Sequence, residues 1–245
     1  MRSLRDNIRQ SNRSHYDKTW KNYHILESEK WPQWQIISRY KNGVLLEIGP
    51  GTRPRIPVAN NYFLDISATA VRKLSSLGGH ALQNNLEKRL PYKDAMFDLV
   101  CAFEILEHLP NDQFIIREIS RVLKKNEMFF FSVPLKMDDW SAYDKTVGHF
   151  RRYEISNIDD LFANTGLEIE SYAKMNIIWP KGTVGTFMSY LLTKFPVYIS
   201  KLGEWIDRFP VSAVRRPLVF KKWDKGVIDD FSDSNTGVFL AKKIR

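Results

Sequence analysis

A short apolar run followed by two glycines limits the type of fold that this sequence can adopt. Residues 44–48 contain four apolar side chains and one glutamate. The run is too short for a helix and is apolar on both faces, which is typical of a parallel strand covered on each side by helices. Gly49 and Gly51 follow, and a residue without a Cβ atom lets the backbone turn tightly and approach a ligand closely. The stretch therefore predicts a buried strand that ends in a ligand-binding loop.

The residues around this loop indicate which chemical groups the ligand carries. A dinucleotide-binding loop would place a third glycine at position 54, where this chain has Pro54. Glu47 at the mouth of the loop would repel phosphates, but it suits a cofactor that carries an ammonium or sulfonium group. Asp65 ends a second short apolar run, where an acid can accept hydrogen bonds from ribose hydroxyls. We therefore expect a cofactor with a ribose and a positive charge, and without a phosphate.

From this point, ordered motifs in the chain resemble those of the class I S-adenosylmethionine-dependent methyltransferases, in particular the small-molecule, type 11-like group. Residues 47–51 resemble the E/D-x-G-x-G loop of that family, and Asp65 resembles its ribose-binding acid. Residues 85–87 resemble the stretch beside the adenine. The other matches are to the family's fourth strand, its EVLEHL segment and the region of its LKPGG sequence, at residues 90–100, 104–109 and 122–134.

The chain departs from the family pattern at three places. Arg53 stands where many members have a third glycine, and Asn85 stands where many have aspartate. Residues 125–127 replace the Pro-Gly-Gly sequence. None of these changes removes the cofactor site.

Alternating strands and helices imply right-handed crossovers and a doubly wound sheet. With the resemblance, this pattern predicts an α/β fold with a Rossmann-like doubly wound seven-stranded sheet, whose last strand is antiparallel and follows an inserted helical segment. We expect three parts: an N-terminal helical lid, a methyltransferase core, and a basic amphipathic helical insertion. Their ranges are 1–42 for the lid, 43–176 and 236–245 for the core, and 177–235 for the insertion.

The resemblance implies S-adenosylmethionine as the cofactor and assigns it a set of contacts. The residues implied to bind it are Glu47, Gly49, Pro50, Gly51, Asp65, Ile66, Asn85, Leu86, Glu104 and Tyr16. Tyr16 and Trp20 have helical spacing in the N-terminal segment. They either cover the cofactor as a lid or pack that helix on the domain.

Three residues are candidates for catalysis: His149, Tyr153 and His108. The histidines are candidate general bases because imidazole titrates near neutral pH, and a base is needed only if the acceptor must lose a proton. Residues 134–153 read as a loop after the fifth strand, and we expect His149, Arg152 and Tyr153 to border the acceptor pocket there. We expect no metal site, because Glu104 and His108 have helical spacing but no further ligands.

The chain carries a formal net charge of +9, which fits anionic partners without choosing among them. Residues 177–223 hold eight basic and two acidic side chains, a net charge of +6. Apolar side chains recur there every three to four residues from Phe187 to Phe209. We expect residues 183–223 to form amphipathic helices that cap the acceptor site or contact an anionic membrane. Packing on the sheet as an ordinary insertion is the alternative.

The sequence thus predicts methyl transfer from S-adenosylmethionine to a small-molecule, lipid or glycan-type acceptor. One alternative is an RNA methyltransferase, although residues 102–105 stand where an Asn-Pro-Pro-Tyr type of motif would be needed. A second alternative is a non-catalytic binding or assembly protein. We expect a small-molecule or amphiphilic acceptor, no specific nucleic acid, and a cytoplasmic protein. Contact of residues 183–223 with a membrane is the second choice after a lid over the acceptor site. Cys101 is expected to be a buried, inert thiol.

Overall fold

The computed structural model describes residues 16, 17, 20, 21, 23–176, 187, 190, 191, 217–224 and 227–245. These residues contain one mixed sheet of eight strands. The strands are β1 Leu45–Ile48, β2 Tyr62–Asp65, β3 His80–Gln83, β4 Phe97–Phe103, β5 Leu123–Pro134, β6 Leu167–Met175, β7 Lys221–Lys222 and β8 Thr236–Lys243. Their order across the sheet is β3-β2-β1-β4-β5-β8-β6-β7.

The sheet has a parallel part and an antiparallel part. Strands β1 to β5 are parallel to one another. Strand β8 lies between β5 and β6 and is antiparallel to both. This arrangement confirms the predicted Rossmann-like α/β fold with an antiparallel last strand.

The sheet has one strand more than the seven predicted. β7 consists of two exposed lysines that pair with Ser171 and Tyr172 at the edge of the sheet. Charged side chains are common on edge strands because they discourage pairing with another chain. A pair of lysines carries no apolar alternation, so the sequence pattern could not reveal this strand.

Four α-helices lie wholly within the described residues: α1 Trp34–Ile37, α2 Ala68–Ser76, α3 Asp112–Val122 and α4 Ala142–Val147. Short 3-10 turns occur at Ser28–Lys30, Ser38–Tyr40, Leu106–His108, Met137–Asp139, Ile155–Phe162 and Val227–Phe231. Both longer helices start at side-chain caps, because Ser67 accepts from the Ala70 N–H and Asn111 accepts from the Phe114 N–H.

The structure corrects the expected loop at residues 134–153. This segment contains the 3-10 turn Met137–Asp139 and helix α4. Ser141 and Asp144 form a capping box at the start of α4, and Gly148 ends it in the left-handed region at φ 78°. A six-residue helix is too short to show a clear apolar period, so the sequence pattern resembles that of a loop.

Most of the predicted helical insertion lies outside the described residues. Phe187, Tyr190 and Leu191 are helical. Across the described ranges, no helix combines the length and the apolar character needed to span a membrane.

Strand β1 is central to the packing because all four of its residues are buried. Leu46 and Ile48 belong to the apolar cluster on one face of the sheet. Leu45 belongs to the cluster on the other face. Helices and loops cover both faces, which explains why the run at residues 44–48 is apolar throughout.

Phe131 at the centre of β5 tests this packing. Its ring is fully buried and stacks on the rings of Phe129 and Phe239. The centroid of the Phe131 ring is 4.7 Å from that of Phe129 and 5.1 Å from that of Phe239. We expect Phe131→Ala to lower the free energy of unfolding by about 3–5 kcal/mol in urea denaturation, because a large buried ring leaves a cavity. Leu82→Ala is the control, since Leu82 is 46% exposed, and it should change stability by less than about 1 kcal/mol. Equal effects of the two substitutions would show that Phe131 is not a core residue.

Candidate functional site

A cleft of about 410 Å³ opens at the carboxyl ends of β1, β2 and β4. This is where ligands bind in open parallel sheets, and the volume falls within the usual range for small-molecule sites. All ten residues predicted to bind the cofactor line this cleft: Tyr16, Glu47, Gly49, Pro50, Gly51, Asp65, Ile66, Asn85, Leu86 and Glu104. The fold therefore brings together in space residues that are up to 88 positions apart in the chain.

The two glycines form one wall of the cleft and are both in the left-handed region, at φ 68° for Gly49 and φ 57° for Gly51. A Cβ atom at Gly49 would overlap the side chain of Ile105. A Cβ atom at Gly51 would lie 2.5 Å from Trp20 Cζ2, which is closer than two carbon atoms can approach. Neither position accepts a larger side chain without strain.

Asp65, at the end of β2, is hydrogen-bonded to the glycine loop. Its Oδ2 atom accepts a hydrogen bond from the Gly51 N–H at 2.8 Å, and its Oδ1 atom accepts one from the Ser67 N–H at 2.7 Å. Burial raises the pKa of Asp65 to about 6, although these two hydrogen bonds lower it in part. Each oxygen keeps a lone pair for a further donor, such as a ribose hydroxyl.

Glu47 at the end of β1 is 2% exposed. Its Oε2 atom accepts from the backbone N–H groups of Arg55 and Ile56, at 2.8 and 3.2 Å. Burial raises the pKa of Glu47 to about 7, although the charge of Arg55 and the two N–H groups oppose the rise. The chain after Gly51 therefore folds back over Glu47 without forming a helix.

The N-terminal segment covers the cleft. The rings of Tyr16 and Trp20 line it and are stacked 6.0 Å apart, and the Tyr16 ring also meets the His108 ring edge-on at 6.2 Å. Asp17 ties this segment to the start of α2, because its Oδ1 atom accepts from the Ser67 hydroxyl at 2.6 Å and from the Thr69 N–H at 3.1 Å.

Trp20, which the sequence analysis named with Tyr16, lines the cleft. Several other lining residues were not predicted as site residues: Arg53, Arg55, Asn84 and Tyr143. Asn84 precedes the predicted Asn85, and its buried Oδ1 atom accepts no hydrogen bond from any described residue. Arg55 lies over the Trp31 ring, with its Cζ atom 3.6 Å from the ring centroid. Arg53 and Arg55 flank Pro54 in the sequence and could have been proposed as site residues. Only the structure shows that their loop returns to the cleft.

The far end of the cleft is polar. Glu104, His108 and Tyr143 line it. Glu104 has a positive φ of 54° and accepts a hydrogen bond from the Ser132 hydroxyl at 2.7 Å. Burial lowers the pKa of His108 to about 3, assisted by the nearby His149, so His108 is neutral at physiological pH.

The structure separates the three predicted catalytic residues. His108 lines the cleft, whereas His149 lies behind it with its ring 4.6 Å from the His108 ring. Tyr153 lines a different cavity, together with Arg152, and its buried hydroxyl donates to Asp112 Oδ2 at 2.9 Å. The backbone direction at residues 148–153 decides these positions, and the sequence does not reveal it.

The contact between Gly51 and Trp20 leads to a test with a matched control. Gly51→Ala should weaken S-adenosylmethionine binding at least about tenfold in isothermal titration, because the new Cβ atom displaces Trp20 and strains the loop. Gly78→Ala has the same type of strain at φ 83°, but its nearest neighbour would be 3.8 Å away and it lies outside the cleft. Unchanged affinity in a folded Gly51→Ala protein would exclude this loop from the site.

The raised pKa values of Asp65 and Glu47 predict a pH dependence. A carboxylate attracts a cationic cofactor and accepts hydrogen bonds more strongly than a neutral carboxyl does. Affinity should therefore rise between pH 5 and pH 8, by about tenfold or more. Isothermal titration of the wild type and of Asp65→Asn measures this rise, and the variant should lose the part near pH 6. The stability of the ligand-free protein should change in the opposite sense. An acid with a raised pKa in the folded state favours folding at low pH, and this contribution is lost as the pH rises through about 6 to 7.

Comparisons with known proteins agree with the geometry of the cleft. The sequence model of the methyltransferase domain family matches residues 46–131. An uncharacterised protein of Methanocaldococcus jannaschii is 30% identical over 148 residues, which cover 57% of this chain and 59% of that protein. A protein of Mycolicibacterium smegmatis named as a probable S-adenosylmethionine-dependent methyltransferase is 24% identical over 152 residues, or 61% of this chain and 52% of that protein. The chain therefore spans little more than half of the length of these two curated relatives.

The fold comparison gives the same result. The crystal structure of a SAM-dependent methyltransferase from Thermotoga maritima has a TM-score of 0.53 and 15% identity, and the match covers 87% of this chain and 93% of that chain. At this identity the similarity concerns the fold alone. Together, the two comparisons lead to one conclusion: residues 46–131 match a methyltransferase domain model, and the chain has the fold of the S-adenosylmethionine-dependent methyltransferases.

Proposed function

We propose that this chain transfers the methyl group of S-adenosylmethionine to a small-molecule, lipid or glycan-type acceptor. The observation that carries the proposal is the cleft itself. At one end it has the left-handed glycine loop with Asp65 and Glu47, and at the other it has the polar group of Glu104, His108 and Tyr143. Such a cleft can hold a cofactor and an acceptor side by side.

The residues present fit this cofactor. The absence of side chains at Gly49 and Gly51 leaves room beside the backbone that a Cβ atom would restrict. Asp65 lies where ribose hydroxyls can donate to it, and the unsatisfied Oδ1 atom of Asn84 offers another acceptor. The two buried carboxyls, Glu47 and Asp65, also favour a ligand with positive charge.

When bound, S-adenosylmethionine supplies a methyl group that its sulfonium sulfur already activates. The work left to the protein is to align the acceptor for in-line displacement and to exclude water. Tyr16 and Trp20 cover the cleft and reduce its contact with solvent. His108 is a poor general base because its pKa is too low, so its proposed role is to contact the acceptor.

The enclosed polar end supports a small acceptor, or the narrow end of a larger one, over an RNA base presented from a broad surface. The rings of Tyr16 and His108 meet across it. The net charge of +6 at residues 177–223 supports an anionic or amphiphilic acceptor. We also propose that residues 183–223 cap the acceptor site, as the sequence predicts. Most of that range lies outside the described residues.

Two measurements test the proposal in sequence. Isothermal titration should show one S-adenosylmethionine bound per chain. Asp65→Ala should weaken binding by about 100-fold, on the scale of a lost pair of charge-assisted hydrogen bonds. Glu168→Gln is the matched control, because Glu168 is an exposed acid on β6, outside the cleft.

The second measurement identifies the acceptor class. The protein is incubated with methyl-tritiated S-adenosylmethionine and a cell extract separated into polar metabolites, lipids, glycans, RNA and protein. We expect label in one of the first three fractions and none with Asp65→Ala. Label in RNA would overturn the acceptor class, and cofactor binding without label in any fraction would favour the non-catalytic alternative.

A further inference from the structure

Three potential metal ligands meet behind the polar end of the cleft. They are a carboxylate oxygen of Glu107 and ring nitrogens of His108 and His149, and these atoms all lie within 4.8 Å of one another. Glu107 and His108 are on the 3-10 turn after β4, and His149 follows the end of α4. The sequence analysis considered only Glu104 with His108, because it could not foresee that His149 reaches this turn.

Glu107 is the most unusual member of this cluster. It is completely buried, and neither of its carboxylate oxygens accepts a hydrogen bond from the described part of the chain. Its Oε1 atom is 3.7 Å from the Nε2 atom of His149. Burial is the main reason why its pKa is raised well above the ordinary value. A buried carboxyl without partners is unfavourable, and a bound cation would remove that penalty.

His108 also has an unused ligand atom. Its buried Nδ1 atom has no hydrogen-bond partner among the residues that the structure describes. Burial keeps its ring neutral, and a neutral imidazole is the form that binds a metal ion.

His149 is held in the orientation that metal ligands commonly have. Its Nδ1 atom is 2.8 Å from Asp144 Oδ1, so the Asp144 carboxylate fixes the ring and leaves Nε2 directed towards Glu107. Asp144 is itself held by Arg152 Nε at 2.9 Å and by the Ser141 hydroxyl at 2.9 Å. A metal-binding histidine usually donates its second N–H to a carboxylate in this way, which sets both tautomer and orientation.

We propose that Glu107, His108 and His149 form a binding site for one divalent transition-metal ion. Two imidazoles and one carboxylate favour ions such as Zn²⁺, Co²⁺ or Fe²⁺ over Mg²⁺ and Ca²⁺. Ligands at about 2.0–2.2 Å from an ion are about 3.4 Å from one another in a tetrahedral site. Side-chain rotation would therefore close the cluster by about 1 Å.

The position of the cluster indicates what the ion would do, and this part rests on the proposed function. Three protein ligands leave coordination positions for water or substrate. His108 lines the acceptor end of the cleft beside Glu104 and Tyr143. An acceptor with an oxygen donor, such as a hydroxyl, carboxylate or phosphate, would bind the ion, which would orient it and favour its deprotonated form.

Titration of the full chain with Co²⁺ tests the site, since Co²⁺ bound to histidine gives visible absorption bands. After treatment with a chelator and dialysis, the wild type should bind one Co²⁺ per chain, and Zn²⁺ should displace it. Glu107→Gln and His149→Gln should each weaken binding at least about 100-fold, and Asp144→Asn should weaken it about 10- to 100-fold through the orientation of His149. His80→Gln is the matched control, because His80 is an exposed histidine on β3 and should bind like the wild type.

Two results would overturn the metal site. One is the lack of stoichiometric Co²⁺ or Zn²⁺ binding by the wild type. The other is equal affinity in the wild type and in Glu107→Gln and His149→Gln. Near-ultraviolet circular dichroism shows whether each variant is folded, and His149→Asn replaces any variant that is not. Titration of the same samples with S-adenosylmethionine keeps the two proposals apart, because failure to bind the cofactor contradicts the proposed function and failure to bind Co²⁺ contradicts only the metal site.

Discussion

The register of β1 between its two parallel neighbours determines where everything else in the site can be. Ile48 pairs with Leu64 on β2 and with Ala102 on β4, so the three strands end at nearly the same level. The side chains and loops that follow must therefore meet at one edge of the sheet. The Gly51 N–H bond to Asp65 is the first consequence of this register, since it joins two loops that are separate in the chain. A shift of one residue in β1 would move Glu47 to the opposite face of the sheet.

The site combines local negative charge with a basic chain. Glu47, Asp65, Glu104 and Glu107 lie along the cleft or directly behind it, although the formal net charge of the chain is +9. In three of them burial raises the pKa to between about 6 and 7. Their protons are therefore exchanged near neutral pH, and a cationic ligand can shift them to the charged form. Net charge describes how the surface attracts partners, whereas these buried acids decide what the cleft can hold.

Sequence patterns predicted the parts of the fold that depend on local chemistry. The buried strand at residues 45–48 follows from the apolar pattern, and the loop after it follows from its two glycines. The ten predicted cofactor residues are found around one cleft because they follow the ends of strands that a doubly wound sheet must place together.

The features that were missed depend on contacts between distant segments. Arg55 reaches the cleft because the chain after Gly51 folds back over Glu47. His149 reaches Glu107 only because α4 and Gly148 return the chain to the turn after β4. Tyr153, four residues later, points into another cavity and pairs with Asp112. From their positions in the sequence, His149 and Tyr153 were both predicted to border the acceptor pocket. The path of the backbone places them at different sites.

The bond between Asp17 and the start of α2 also links the N-terminal segment to the acid at the end of β2. Ser67 donates its hydroxyl to Asp17 and at the same time accepts from the Ala70 N–H, while its own N–H binds Asp65. One serine thus connects the segment above the cleft, the first turn of a helix and the acid at the end of β2. A ligand that draws on Asp65 acts on the same short network that holds Tyr16 and Trp20 in place. The release of such a ligand and a movement of Asp17 would therefore involve the same bonds.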